Sequence, residues 1–266
     1  MTLRHDHNRR AWDTRARKGE RFTEAAGDDE MRNPLSTVDG CGWLPEGVRG
    51  RRLLCLAAGG GRQSALYAAA GAEVTVVDIS ADMLALDHQV AAERGLELRI
   101  VQASMDDLSA LADASFDVVI QPVSTCYVPD VEPVFREVAR VAAPGSVYIS
   151  QHKQPASLQA DVKPSPRGYE LVKPYYHEGP LPPVAGSRHR EEGTLEYLHR
   201  WEQLIGGICR AGFVIEDLIE PQHADDQSAP GTFAHRSRYT PAYMRIKARR
   251  VGGSADPSRP SPLWTP

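Results

Sequence analysis

The sequence lacks the features that anchor, export or cross-link a chain. No apolar run approaches the roughly 20 residues of a membrane span, and the N-terminus, M-T-L-R-H-D-H-N-R-R, has no apolar core of a signal peptide. The four cysteines include no CxxC pair, which argues against a disulfide framework or a zinc site. Cys55 and Cys209 lie in apolar patterns, where we expect buried thiols.

The net charge and the spacing of possible metal ligands argue against two further classes, nucleic-acid-binding proteins and metalloproteins. The formal net charge is −4, and the short arginine runs form no basic face of the kind that binds nucleic acid. No set of His, Asp and Glu residues has metal-ligand spacing, so we predict no metal. We therefore expect a cytoplasmic protein that binds neither nucleic acid nor a membrane, and a homodimer remains open.

What the sequence does contain is a regular alternation of strands and helices. Apolar runs that predict strands begin at Leu53, Val74, Leu96, Phe116 and Ser146, and segments with helical patterns separate them. Two more predicted strands, F-V-I-E-D-L-I and Y-M-R-I-K-A-R, follow one another without an intervening crossover. This pattern predicts an α/β, Rossmann-like fold with a mostly parallel seven-stranded sheet and an antiparallel last strand.

Composition divides the chain into five predicted segments. Residues 1–50 form an N-terminal helical cap, and residues 51–152 form the core of a cofactor-binding unit. Residues 153–193 are rich in proline and tyrosine and are predicted to be a lid insertion with short strands. Residues 194–250 return to the sheet, beginning with a helix over 195–211, and residues 251–266 have the composition of a disordered tail.

The most informative motif is a glycine turn followed by an acid. The strand L-L-C-L-A-A ends in Gly59-Gly60-Gly61, a predicted helix follows, and the next strand ends at Asp78, 19 positions after Gly59. Glycines let the backbone approach a ligand, and an acid at the tip of the second strand can accept both ribose hydroxyls. The ordered pair predicts a site for a nucleoside-containing cofactor.

Several motifs together resemble the class I S-adenosylmethionine-dependent methyltransferases. Their first turn usually reads D-L-G-x-G-x-G, whereas this chain has Cys55 in place of the acid and Ala57 in place of the first glycine. The stretches A-S-M-D-D-L and F-D-V-V match the third and fourth strand regions of that family. The N-terminal H-N-R-R-A-W-D resembles a subgroup with an H-N-R-x-A-W-D motif. The likeness extends over about residues 8–150, and over 195–250 in topology only.

The resemblance implies S-adenosyl-L-methionine as the cofactor and assigns residues to it. Asp78 would bind the ribose, and Ile79 would pack on the adenine. Trp12 would close over the methionine end, and Arg9, with Asn8, would contact the carboxylate. The other implied cofactor contacts lie in the first turn and after the third and fourth strands: Ala57, Gly59, Gly61, Ser104, Met105, Asp106 and Gln121.

Catalysis by such an enzyme needs alignment of the acceptor and, for a hydroxyl or ammonium acceptor, a base. His152 follows the fifth strand at the edge where open sheets bind ligands, so it is the first candidate. Tyr176 and His177 in the lid are the next candidates. The predicted function is methyl transfer to the O, N or C atom of a small-molecule acceptor, for example a secondary metabolite.

Two alternatives compete with this function. The atypical first turn also fits a non-catalytic cofactor-binding or regulatory protein of the same fold. The pair Tyr169 and Lys173 has the spacing of a short-chain NAD(P)-dependent oxidoreductase dyad. That dyad needs a continuous helix, and the flanking Pro166 and Pro174 disfavour one.

Overall fold

A seven-stranded sheet with the order β3-β2-β1-β4-β5-β7-β6 organises the chain, of which the computed structural model describes residues 2–44 and 46–251. The strands are β1 (Arg52–Leu56), β2 (Glu73–Asp78), β3 (Leu98–Gln102), β4 (Phe116–Gln121), β5 (Ala142–Lys153), β6 (Phe213–Ile219) and β7 (Tyr243–Arg250). Strand β7 is antiparallel to both of its neighbours, β5 and β6, and the other six strands run in one direction. The predicted fold class is confirmed, with β7 inserted between β5 and β6 rather than placed at the edge.

The helices lie between the strands as the crossover pattern requires. They are α1 (Leu3–Lys18), α2 (Asp28–Arg32), α3 (Pro34–Val38), α4 (Gln63–Ala69), α5 (Ala81–Arg94), α6 (Glu132–Val141), α7 (Pro155–Gln159), α8 (Gly207–Arg210) and α9 (Phe233–Arg236). Helix α5 begins after Ser80, whose hydroxyl accepts a hydrogen bond from the Met83 N–H, and ends at Gly95 in the left-handed conformation. Both boundaries agree with the sequence prediction.

Apolar layers cover both faces of the sheet. One layer contains Tyr148 and Phe135 and lies against α6 and α8, and the other contains Cys55 and Tyr67 and lies against α3 and α4. Successive residues of β5 alternate between the two layers, as a strand buried on both faces must. Packing on both faces fixes the position of the sheet, and the candidate site lies at the ends of its strands.

Three expectations about local structure are wrong. The helix predicted over 195–211 begins only at Trp201, and its first part is a π-helix over Glu202–Gly206. Cys209 is exposed, because it lies on the outer side of that short helix, whereas Cys55 is buried as expected. The insertion 153–193 contains α7 and isolated bridges instead of short strands, because its prolines remove the donors that a ladder needs.

The other segment boundaries stay predictions. No helix in the described ranges is both long and apolar enough to cross a bilayer. The disordered tail was predicted for a segment that, apart from Val251, lies outside the described residues.

Candidate active site

The main cavity lies at the carboxyl ends of the parallel strands, between β1 and β4, where the strand order reverses direction. Open α/β sheets bind ligands at this switch point. The cavity measures about 560 Å³, within the range of small-molecule pockets. Its walls come from α1 and the segment after it, the turn after β1, the tip of β2, the loops after β3 and β4, and the ends of β5 and β7.

The glycine turn and Asp78 form one hydrogen-bonded unit. The Asp78 carboxylate accepts the Gly59 N–H at 3.0 Å and the Ser80 N–H at 2.9 Å. Burial raises the pKa of this carboxyl above its ordinary value, while the backbone N–H groups of Ser80, Gly59 and Ile79 oppose the rise. A Cβ at Gly59 would lie 2.9 Å from the Met83 Cβ, so a side chain cannot be added without displacing α5. The turn is therefore packed closely against α5, and Gly59 and Gly60 line the cavity.

Asp87 on α5 also binds the glycine turn, a role that was not predicted from the sequence. Its carboxylate accepts the Gly60 N–H at 2.9 Å and a short hydrogen bond from the Ser64 hydroxyl. The side chain is fully buried, and burial raises its pKa to about 6. Cys55, which stands where the family usually has an acid, is buried in the apolar layer. The carboxylate that orders the turn thus comes from α5 rather than from β1.

A signal for Asp87 does exist in the sequence. It lies four positions after Met83 and three after Leu84, among the buried residues of α5. A single acid on the apolar face of a helix is costly to bury unless it has hydrogen-bond donors.

Replacing Asp87 by alanine is expected to lower the free energy of unfolding by about 1–3 kcal/mol, because the Gly60 N–H and the Ser64 hydroxyl lose their acceptor. Urea denaturation measures this change. Glu93→Ala, on an exposed part of the same helix, is the control and should change the stability little. Equal stability of the two variants would contradict the role given to Asp87.

Ala57 shows that the first turn keeps its shape without the first glycine. Its φ is +49°, in the left-handed region that glycine adopts readily and alanine adopts at a cost of roughly 1–2 kcal/mol. The surrounding hydrogen bonds therefore hold Ala57 in the conformation that the family obtains with glycine.

Helix α1 covers the cavity, and Asn8 and Asp13 are two of the residues that attach it to the rest of the chain. The Asn8 side chain donates to the carbonyls of Tyr127 and Leu195 and accepts the Leu195 N–H at 2.7 Å. One turn further on, the Asp13 carboxylate accepts the Ser80 hydroxyl at 2.6 Å. Trp12 lies between these points and packs edge-on against Tyr127, with ring centroids 5.6 Å apart.

Most residues predicted to contact the cofactor line this cavity. They are Trp12, Ala57, Gly59, Asp78, Ile79, Ser104 and Met105, and Asn8 lines it as well. Their roles toward a ligand stay predictions, but the structure does bring them together.

Four other predicted contacts do not line the cavity. Arg9 pairs with Asp6 and Asp13 along its own helix, since these acids lie three positions before and four after it. Gly61 faces α5, where a Cβ would lie 2.8 Å from the Leu86 carbonyl oxygen.

The side chains of Asp106 and Gln121 also bond to the protein rather than face the cavity. Asp106 bonds to His5 at 3.0 Å, and the Gln121 amide donates to Ser124 at 3.0 Å while accepting the Tyr148 hydroxyl. Gln121 is 1% exposed and lies behind the residues that line the cavity.

The three predicted catalytic residues are also outside the cavity lining, and a catalytic role for them is not supported. His152 is completely buried between Thr125 and Ser150, both at 2.8 Å, because its position on β5 turns it toward the α6 side of the sheet. Burial lowers its pKa to about 3. Tyr176 is 74% exposed beside Arg200, and the imidazole of His177 bonds to the Pro180 carbonyl. Both residues lie in a proline-rich segment at the surface of the insertion.

The oxidoreductase dyad is not formed either. Tyr169 and Lys173 lie in a non-helical segment, and the Tyr169 hydroxyl bonds to His235 at 2.9 Å, away from the cavity lining. The tyrosines that do line the cavity in the described chain are Tyr127 and Tyr243.

A second group of cavity residues comes from segments far apart in the sequence. Glu191 from the insertion accepts the Tyr127 hydroxyl at 2.8 Å and the Lys153 ammonium at 2.5 Å. Burial alone would raise the pKa of Glu191, but Lys153 lowers it below the ordinary value. Lys153 bonds also to Glu196 at 3.0 Å, so a buried ion-pair network supports this wall.

The same end of the cavity carries an imidazole and a guanidinium. His223 packs between the rings of Phe233 and Tyr243, and Arg245 donates to the Gln151 side chain at 2.7 Å. Burial, and then the positive charges of Arg245 and Arg21, lower the pKa of His223 below its ordinary value. The sequence analysis had no reason to select these residues, since only the return of β7 beside β5 brings them to the cavity.

The fold and this geometry define the class of the protein as a class I methyltransferase. A model of the methyltransferase domain family matches residues 54–150. An uncharacterized methyltransferase of Bacillus subtilis, YbaJ, is 35% identical over 229 residues, which cover 80% of this chain and 89% of that protein. The chain therefore belongs to the S-adenosylmethionine-dependent methyltransferase family.

Solved structures agree on the fold. An S-adenosylmethionine-dependent methyltransferase from Mesorhizobium loti has a TM-score of 0.65 at 24% identity and covers 83% of this chain and 100% of its own. The geranyl diphosphate C-methyltransferase from Streptomyces coelicolor, with Mg²⁺, geranyl diphosphate and S-adenosyl-L-homocysteine, has a TM-score of 0.63 at 14% identity. It covers 94% of this chain and 99% of its own.

S-adenosylmethionine is the cofactor, and the cavity residues fit it. Asp78 and the glycine turn suit a ribose, and the Gln63 Oε1 atom is a buried acceptor on the wall without a hydrogen-bond partner in the described chain. An ammonium group would satisfy that oxygen. Gln63 thus offers the acceptor that the missing acid at Cys55 would supply in the usual family pattern.

Proposed function

We propose that this methyltransferase acts on a small-molecule acceptor that binds beside the cofactor in the same cavity. The observation that carries the proposal is that one cavity of about 560 Å³ includes both the glycine turn with Asp78 and the wall of Glu191, His223, Tyr243 and Arg245. Cofactor and acceptor must share this volume. A protein or nucleic-acid segment would need an open channel, and α1 and the insertion restrict such access.

In this proposal the cofactor end is formed by β1, β2 and the loop after β3. The Asp78 carboxylate has acceptor capacity beyond its two backbone bonds and takes the ribose hydroxyls. Ile79, Ser104 and Met105 flank the base, and Gln63 orients the methionine end. When bound, the cofactor supplies an activated methyl group on a sulfonium, so the chain contributes mainly alignment.

The acceptor end is formed by Tyr127, Tyr243 and the polar groups around them. The two tyrosine rings give flat apolar walls that suit a planar acceptor. His223 is held neutral by its environment and takes the proton of an acceptor hydroxyl or amine at its free ring nitrogen. Glu191, fixed by Lys153, holds the Tyr127 hydroxyl in place.

Methyl-labelled S-adenosylmethionine tests the proposed function. The purified protein is incubated with it and with a cell extract separated into small molecules, protein and nucleic acid. We expect S-adenosylhomocysteine to form and the label to enter the small-molecule fraction. Label in protein or nucleic acid would contradict the proposal, and cofactor binding without turnover in any fraction would favour the non-catalytic alternative.

A further inference from the structure

Arg245 on β7 is a charged group on the cavity wall, and the described part of the chain offers it no acidic partner. Its Nε donates to the Gln151 Oε1 at 2.7 Å, which fixes the plane of the guanidinium. Its Nη1 donates a hydrogen bond to the Cys41 Sγ at 3.6 Å, which leaves the second N–H of Nη1 and both of Nη2. No carboxylate in residues 2–44 or 46–251 comes within 4.0 Å of the group. A half-buried arginine in this state has donors available for a ligand.

The neighbouring charges do not neutralise Arg245. Among the acids of the cavity wall, Asp78 is engaged by the glycine turn and Glu191 by Lys153, while Glu24 is exposed. Arg21, the other arginine near His223, is exposed like Glu24. The half-buried Arg245 therefore contributes an unbalanced positive charge to the acceptor end, in a partly enclosed space where electrostatic attraction is stronger than in water.

The geometry of the wall restricts what could balance this charge. A guanidinium whose Nε is already bonded presents its two terminal nitrogens, which match the two oxygens of a carboxylate or two oxygens of a phosphoryl group. Tyr243 lies two positions before Arg245 on the same face of β7, and Tyr127 lies across the cavity. An oxyanion attached to a planar ring would use all three side chains.

From these contacts we infer that the acceptor carries an oxyanion group, a carboxylate or a phosphate, which Arg245 binds while its ring lies against Tyr127 and Tyr243. This inference rests on the proposed function, because it concerns the acceptor end of the same cavity. It names Arg245 as a specificity-determining residue, with Gln151 as the residue that positions it.

Three probes of the same ring size test the inference: benzoate, phenyl phosphate and benzamide. Their dissociation constants are measured by ligand-observed NMR on the protein saturated with S-adenosylhomocysteine. We expect benzoate or phenyl phosphate to bind at least about tenfold more tightly than benzamide, as charge-assisted bonds require. The stronger of the two anions identifies the oxyanion.

Arg245→Gln is the matched variant, and Arg249→Gln, four positions along the same strand and bonded to Glu216, is the control. The first should remove the preference for the anion and leave the affinity for S-adenosylhomocysteine unchanged within about twofold, and the control should keep the preference. Equal binding of all three probes to the wild type would overturn the inference, as would an unchanged preference in Arg245→Gln.

A large loss of S-adenosylhomocysteine affinity in Arg245→Gln would also overturn the inference, since Arg245 would then belong to the cofactor end. These outcomes are separate from a failure of the proposed function. That failure would appear in the labelling experiment as transfer to a macromolecule or as no transfer, whatever the probes do.

Discussion

Replacing His223 by alanine is expected to lower the rate of methyl transfer by about 10²–10⁴-fold, the usual contribution of a positioned base. Its imidazole lines the cavity beside Tyr243. The described chain places a second histidine on the cavity wall, His5, and its ring is bonded to Asp106. The affinity for S-adenosylhomocysteine should stay unchanged, because the cofactor end lies at β1 and β2. Initial rates and calorimetric titration separate the two effects.

The pH dependence gives an independent readout. Because burial disfavours the charge of His223 and Arg245 and Arg21 add to this effect, its pKa lies below the ordinary 6.5, despite the acids Glu24 and Glu191 on the same wall. The base is therefore unprotonated at neutral pH, and activity should fall only as the pH drops below 6.5 and through the lowered pKa. His223→Ala should lack this acidic limb.

His177→Ala is the control for both measurements, since His177 is a half-buried histidine of the insertion away from the cavity lining. It should keep the wild-type rate and pH profile. A His223→Ala enzyme with full activity would show that the acceptor needs no base or finds another.

Replacing Asp78 by alanine should weaken S-adenosylhomocysteine binding by about 1.5–3 kcal/mol for each ribose hydrogen bond lost, or roughly a hundredfold or more for two. The same carboxylate fixes the Gly59 and Ser80 N–H groups, so the turn is expected to lose order as well. Isothermal titration calorimetry measures the affinity, and urea denaturation measures the accompanying loss of stability.

Asp82→Ala is the matched control for Asp78. Asp82 is a nearby acid at the start of α5 whose carboxylate pairs with Arg17 outside the cavity. Its removal should change cofactor affinity by less than about 1 kcal/mol, as for other surface ion pairs. Similar affinities of the two variants would argue against Asp78 as the ribose ligand.

The sequence predicts the sheet well because its strands are short apolar runs between glycine and proline signals. Phe116–Gln121 has the predicted bounds, and Ser80 and Gly95 terminate α5 as expected. The sequence also predicts the contact between Gly59 and Asp78, because the crossover between β1 and β2 places the ends of the two strands side by side.

The acceptor end could not be predicted in the same way. Glu191, His223 and Arg245 lie in three segments whose meeting depends on the path of the insertion and on β7 returning between β5 and β6. His152 illustrates the opposite error: it lies at the correct end of β5, but the alternation of a strand turns it to the other face. A shift of one residue along a strand reverses such an assignment.

Asn8 makes three hydrogen bonds that join α1 to the loop after β4 and to the chain that follows the insertion, and Asp13 joins the same helix to Ser80. The cofactor and acceptor ends of the cavity therefore share one cover. We expect spent cofactor and methylated product both to leave when this helix moves, so that the release of one is coupled to the release of the other. We expect the turnover number of such an enzyme to depend on the opening rate of α1 whenever methyl transfer itself is fast.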